Sequence, residues 1–209
     1  MANDYCSSSD VKAYMPESGL GNTTDYDFML GEMCTSVSRL IDDEVGRWPG
    51  FFYPTTDSET RYFDGNGEQE LDIDPVATLS SVSVSEEGNY SSSDYTSWTL
   101  NTDYYTWPYN ASGLGEPIER LVVDHNGDKL NWTRFKKAVQ VVGIFGYSTS
   151  VPSVIRRAAI AQCIRWYMRD KQAWQDAGAN VEVGAMQYVR AIDPEIKRML
   201  WKFMLDNAK

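Results

Sequence analysis

The spacing of apolar residues changes character along this chain, and each change marks an element. Tyr26, Leu30, Met33, Val37, Leu40 and Ile41 recur every three or four positions, the period of an amphipathic helix, and predict one reaching about Val45. Thr24 with Asp27 has the spacing of an N-terminal capping box. Gly46 and the Trp48-Pro49-Gly50 punctuation end the helix. Upstream, Ser7-Ser8-Ser9-Asp10 before Val11 predicts a short capped helix stopped by Pro16, with Gly19 and Gly21 marking a loop.

From Phe51 to Asp128 the period shortens to that of strands. Arg61-Tyr62-Phe63 and Glu70-Leu71-Asp72-Ile73 flank Asp64-Gly65-Asn66-Gly67, and residues that tolerate positive φ there predict a hairpin. Thr78 to Ser85 alternates, and Thr96 to Leu100, Asp103 to Tyr109 and Glu119 to Asp124 do so more loosely. Several short strands close together predict a small antiparallel barrel or sandwich.

A β-run from Ala138 to Phe145 then meets a Gly146-Tyr147 corner, and Pro152 opens a helix running to about Asp176 and stopping at Gly178. Ile155, Ala159, Cys163 and Trp166 line one face, with Ile160, Ile164, Tyr167 and Trp174 beside it. Most of the circumference thus reads as apolar and buried. Arg157, Arg165 and Arg169 share the remaining stripe. Residues 180–190 read as extended. Asp193-Pro194-Glu195 then caps a last helix that carries Ile196, Met199, Leu200, Phe203 and Met204 on one face.

These elements predict an α+β chain. Two N-terminal helices, a long C-terminal core helix and a final helix form a helical body into which an antiparallel β-module is inserted, with boundaries at 1–50, 51–135 and 136–209. At 209 residues there is enough chain for one core and a modest insertion. No apolar run reaches membrane-spanning length, and MANDYCSSSD lacks the basic start and apolar stretch of a signal peptide. Cys6, Cys34 and Cys163 are odd in number and widely spaced without a metal-like pairing, and read as reduced thiols of a protein made in a cytoplasm. Charge is uneven. Residues 1–128 hold 24 acids against 5 bases, and 129–209 hold 6 against 14. A net charge of −11 argues against general nucleic-acid binding, and the asymmetry suits head-to-tail self-association or a solvated acidic insertion.

Catalytic and metal chemistry finds little support. The stretches beginning at Asp64 and Asp124 start like calcium loops, but Gln69 and Lys129 stand where glycine is needed, and Pro75 and Phe135 where an acid is needed. His125 is the only histidine and lies in a polar turn, so a nucleophile–histidine relay has little to build on. Gly19-Leu20-Gly21 lacks the Lys-Ser or Lys-Thr of a phosphate loop. The acid pairs at Asp42-Asp43-Glu44, Asp72 with Asp74, and Glu86-Glu87 read as solvated surface rather than a glycosidase cleft. The first group sits at the helix end that the macrodipole disfavours for acids, which implies a reason outside the helix. Tyr90, Tyr95, Trp98, Tyr104, Tyr105, Trp107 and Tyr109 pack a β core or form a sugar-stacking platform. The chain reads as a non-enzyme that uses no cofactor.

The order SRLIDDEVGRWPG, then RYFDGNGEQELDIDPVATLSSVSV, then a strand, Val-Pro, a long helix and a proline-capped final helix resembles the head–tail connector (portal adaptor) family of tailed bacteriophages. The resemblance covers nearly the whole chain and rests on order and texture. It implies a structural virion protein of the neck, assembled in the host cytoplasm. Such proteins form a dodecameric ring between the portal protein above and a tail or neck protein below, and DNA passes through the lumen without sequence-specific binding. On that reading Arg157, Arg165 and Arg169 meet Asp42, Asp43 and Glu44 of the next subunit, where these acids make a ring contact or an acidic channel wall. Tyr188, Met199, Phe203 and Met204 would then face the portal or another partner. The competing reading is a carbohydrate-binding virion or secreted module that uses the Trp- and Tyr-rich β-surface.

Overall fold

Local residues set several of the helix ends in this protein. The computed structural model describes residues 3–15, 23–54, 56–88, 94–175 and 192–205, without the side chains of 172–175. The expected stops at Pro16 and Gly178, the loop glycines 19 and 21, the side chains of Tyr90 and Trp174, and the extended segment 180–190 with Tyr188 lie outside the described residues. The chain forms two compact units, Met1–Gly50 with Val151–Lys209, and Phe51–Ser150. The fold is α+β.

In the helical unit, α1 (Ser8–Ala13) begins with a reciprocal capping box. The Ser7 hydroxyl accepts the Asp10 N–H at 3.2 Å, and the Asp10 carboxylate accepts the Ser7 N–H at 2.9 Å. The next helix, α2 (Asp27–Val45), ends on Gly46 in the left-handed region (φ 71°), whose N–H returns to the carbonyls of Asp42 and Asp43. Its start departs from expectation. Tyr26 occupies the cap position without a side-chain bond, and the Asp27 carboxylate is drawn to Lys12 instead.

Helix α4 (Ser153–Gln175) follows Pro152, whose carbonyl accepts the Arg156 N–H at 2.9 Å. The expectation of a helix apolar almost all round is corrected: α4 is two-faced. Ile155, Ala158, Ala159, Ile160, Gln162, Cys163 and Tyr167 are buried, while Val154, Arg156, Arg157, Arg165, Met168 and Arg169 are exposed and Trp166 is half-buried. Helix α5 (Pro194–Leu200) is capped by Asp193, which accepts the Glu195 N–H at 2.8 Å, and a 3-10 turn (Trp201–Phe203) extends it. Leu205 then donates its N–H to the Val45 carbonyl at 3.1 Å, tying the chain back to the end of α2.

In the other unit, β1 (Glu59–Phe63), β2 (Glu70–Ser85), β3 (Tyr95–Trp98), β4 (Tyr104–Trp107), β5 (Ile118–Val123) and β6 (Val139–Phe145) make one antiparallel sheet in place of the expected barrel or sandwich. Its order is β1-β6-β2-β5-β4, with β3 beside β2. A single turn, α3 (Ala111–Leu114), joins β4 to β5. The two alternating runs at 70–73 and 78–85 are one strand. Its register with β5 shifts between Asp72 and Val76, around Pro75, which has no N–H to give a ladder.

The predicted hairpin does not form. β1 pairs with β6, from Glu59 opposite Gly143 to Phe63 opposite Val139. Asp64-Gly65-Asn66-Gly67 is instead a crossing held against residues 133–137. Asp64 accepts the Lys137 N–H at 2.9 Å, and the Gly65 N–H reaches the Phe135 carbonyl at 3.0 Å. A Cβ on Gly65 would stand 1.6 Å from the Thr133 carbonyl oxygen, so only glycine permits this approach. The boundary drawn after residue 135 is likewise corrected. The strand it assigned to the C-terminal part lies between β1 and β2, inside the sheet.

The core of this unit combines strand aliphatics with an aromatic stack. Trp132, buried on the segment between β5 and β6, stacks on Trp98 with centroids 4.7 Å apart and planes 18° off parallel. Its indole N–H donates to the Gln69 carbonyl at 3.1 Å. Tyr104 packs beside it.

Candidate subunit interface and the buried groups behind it

The outer face of α4 presents basic side chains in a row. Arg157, Arg165 and Arg169 are all exposed there, as their shared stripe predicts. Each is engaged within the chain. The Arg157 guanidinium lies 4.7 Å from the centre of the Tyr14 ring, Arg165 pairs with Asp193, and Arg169 Nε is 3.7 Å from Asp170. Arg157 and Arg165 border a groove of about 430 Å³ between α4 and α5, to which Ile164, Ile196 and Met199 contribute apolar wall. The groove therefore brings together two of the expected arginines and one of the expected methionines.

The acidic group separates into three environments. Asp43 is exposed, and Glu44 accepts Lys197 Nζ at 2.6 Å. Asp42 is corrected as an interface residue, because its side chain is only 1% exposed. Its oxygens take the Tyr5 hydroxyl, the Gly50 N–H at 3.0 Å and the Arg39 guanidinium at 3.2 Å. Burial pushes its carboxyl up to about 6 even though Tyr5, Gly50 and Arg39 all favour the charged form. The misplaced acid of the sequence is thus an internal tie between the N-terminal segment, α2 and the turn after it. Position 42 lies four residues after buried Ser38 and beside Ile41 and Val45, so its place on the buried stripe was the available signal.

The apolar C-terminal face is also corrected. Phe203 and Met204 are buried within the chain, and Met199 is half-buried. The turn that follows α5 directs Trp201 (53% exposed) and Leu205 outward instead.

The greatest departure from the sequence reading involves the cysteines. Cys6, Cys34 and Cys163 are all buried and free, and their sulfurs lie within 4.8 Å of one another. Cys163 Sγ is 3.9 Å from both Cys6 Sγ and Cys34 Sγ. The S–H groups of Cys163 and Cys6 hold the Cys34 thiol well below the ordinary range, while contact with Cys34 and Cys6, together with burial, pushes Cys163 up.

On the β-unit the aromatic platform divides. Trp98 and Tyr104 face inward, whereas Trp107 and Tyr109 are exposed and meet edge to face at 4.8 Å and 85°. The calcium-like stretches are fixed by their own side chains, the first within the crossing and the second as a turn. The Asn66 carboxamide bonds the Glu68 N–H and the Glu70 carbonyl, and Asp124 accepts the Asn126 N–H. His125 Nδ1 lies 3.2 Å from the Gln69 amide nitrogen in an exposed turn.

The chain matches no protein-family model and no curated protein. Among solved structures, a chain in the neck of a native GTA particle computed with C12 symmetry is similar at a TM-score of 0.46 and 12% sequence identity, over 94% of this chain and 88% of that one. No helix among the described residues is long and apolar enough to cross a membrane.

Proposed function

We propose that this protein is a structural subunit of the neck of a phage-like particle, a head–tail connector that assembles as a homo-oligomeric ring between a portal protein and the tail or neck protein beneath it. One observation carries the reading. A β-unit is inserted between α2 and α4 of a single helical unit, the order that the connector resemblance implies. Two further features fit it. The β-unit, residues 51–150, holds 15 acids against 6 bases, a surface that repels DNA phosphates and lets DNA slide. Large apolar side chains stand in solvent on the helical unit, Phe28 at 82% exposure foremost, and exposed aromatics and arginines are the anchors that subunit contacts use.

On this reading the α4 arginines meet acids of the neighbouring subunit, with Asp43 the member of the acidic group free to take part. The portal-facing surface uses Trp201 and Leu205 beside Met199. A ring of this kind needs a heterologous contact whose rotation closes. Ring stoichiometry follows from the resemblance as twelve, and the site of assembly as the host cytoplasm.

The test is light-scattering mass and negative-stain microscopy of the protein alone and mixed with its portal. A ring, alone or on the portal, is expected. Replacing Arg157, Arg165 and Arg169 together by Glu should abolish it while the far-ultraviolet circular dichroism stays unchanged. A monomer at all concentrations that ignores the portal but binds glycans would instead support the sugar-binding reading, for which the exposed Trp107–Tyr109 pair is the favouring observation.

A further inference from the structure

Three distant sequence positions bring three thiols to one point inside the helical unit. Cys6 precedes the cap of α1, Cys34 lies on the buried stripe of α2, and Cys163 lies on that of α4. All three side chains are buried, at 6%, 1% and 0% exposure. Apolar packing alone has no need to gather every cysteine of a chain into one cluster, since a buried free thiol behaves as any small apolar group would.

We propose that Cys6, Cys34 and Cys163 are a three-thiolate site for a thiophilic closed-shell cation, Zn²⁺ or Cu⁺. The spacing carries the argument. An ion equidistant from sulfurs 3.9 Å apart would sit about 2.25 Å from each in a flat trigonal site and about 2.4 Å in a tetrahedral one, and these values bracket the usual zinc–sulfur length of about 2.3 Å. All three sulfurs lie within 4.8 Å of one another, so the Cys6–Cys34 pair needs at most a small inward adjustment. Ligand type agrees with it, because soft thiolates select Cu⁺ and Zn²⁺ over the oxygen-seeking cations. No histidine or carboxylate joins the cluster among the described residues, so the protein supplies three ligands. Cu⁺ takes three as a complete trigonal set, while Zn²⁺ takes its fourth from solvent or an added anion. On binding, each thiol that ligates releases its proton to the buffer and forms one sulfur–metal bond, with no change of oxidation state. Such an ion would fasten the N-terminal segment to α2 and α4 at one point.

The full chain, kept reduced with a phosphine and stripped by chelator, is loaded with Zn²⁺ or, under nitrogen, with Cu⁺, and desalted. About one ion per chain should be retained for at least one cation. X-ray absorption should show sulfur neighbours at about 2.3 Å. The melting midpoint should rise by about 5–10 °C at a hundredfold excess over Kd. Retention of Cu⁺ alone identifies the trigonal form, and retention of Zn²⁺ with three sulfurs and one lighter neighbour identifies the four-coordinate form. Cys34→Ala and Cys163→Ala should each lower retention at least tenfold. Should either variant fail to fold, the wild-type retention, melt and sulfur shell decide on their own. Wild type that keeps neither ion and shows no shift in its melt overturns the site, as does a first shell of oxygen or nitrogen or undiminished retention in a folded variant.

Discussion

The helical unit carries polar chemistry in its interior, whereas the β-unit confines it to turns. In the former, Asp42 sits at 1% side-chain exposure among Tyr5, Gly50 and Arg39, the three thiols touch, and buried Gln162 accepts the Asp193 N–H at 3.4 Å. In the latter, the buried polar side chains Ser85, Asp94 and Asp124 lie at or beyond strand ends. There they bond turn backbone, as Asp94 does with the Glu87 N–H at 3.0 Å. Stacked aromatics and β-branched residues fill the rest. The difference follows from how each architecture satisfies its backbone. Strands give and take hydrogen bonds along a register, leaving their side chains to pack. Helices leave orphan groups at each end, and a chain segment laid across them needs side chains to tie it down.

Truncating the β-unit's central aromatic should produce the largest effect. Trp132→Ala removes the ring stacked on Trp98 and the hydrogen bond to Gln69, and should cost about 3–5 kcal/mol in denaturant unfolding followed by near-ultraviolet circular dichroism. A loss below about 1 kcal/mol would mean that the β-unit does not depend on this core.

The interior acid sharpens the contrast through pH. The Asp42 carboxyl is about 6 in the folded protein, above its ordinary value of 3.8. Between about pH 4 and pH 6 the folded state therefore binds more protons than the unfolded state, and Asp42's contribution falls as pH rises through that window. Lowering pH from 7 to 4 should stabilise the wild type relative to Asp42→Asn by about 2–3 kcal/mol, measured as the difference between the two stability–pH curves. Parallel curves would place the carboxyl in water.

The smallest effect belongs to the β-unit's rim. Arg120 pairs with Glu70 and Asp72 at 2.6 Å each, but all three side chains are well exposed. Arg120→Ala should cost less than about 1 kcal/mol, shrinking further in molar salt. A larger, salt-independent cost would remove the distinction between rim and interior charge.

Signals confined to a few adjacent residues were legible in the sequence. Ser7 with Asp10, Gly46, and Asp193-Pro194 each place a helix end, because capping is settled within one turn of chain. The partner of β1 was not legible. Asp64-Gly65-Asn66-Gly67 has the composition of a two-strand turn, and only the close approach of Gly65 to Thr133 shows that it is a crossing. The thiol cluster was illegible for a related reason, since Cys34 and Cys163 meet only after α2 and α4 pack. Of the candidate interface, the arginine stripe was readable from helical spacing. The burial of Asp42, Phe203 and Met204 depends on chain segments that spacing does not describe.

The ends of the β-unit have a further consequence. Phe51 accepts the Tyr147 N–H at 2.8 Å, and the rings of Phe51, Phe52 and Tyr147 close around that bond with centroids 5.0–6.1 Å apart. The polypeptide thus departs and returns through one clasp. Closing a longer loop costs only logarithmically more entropy, and here the loop fastens its own mouth. A foreign domain whose termini lie equally close, grafted between positions 51 and 147, should therefore leave the helical unit folded, as judged by its circular dichroism and melt.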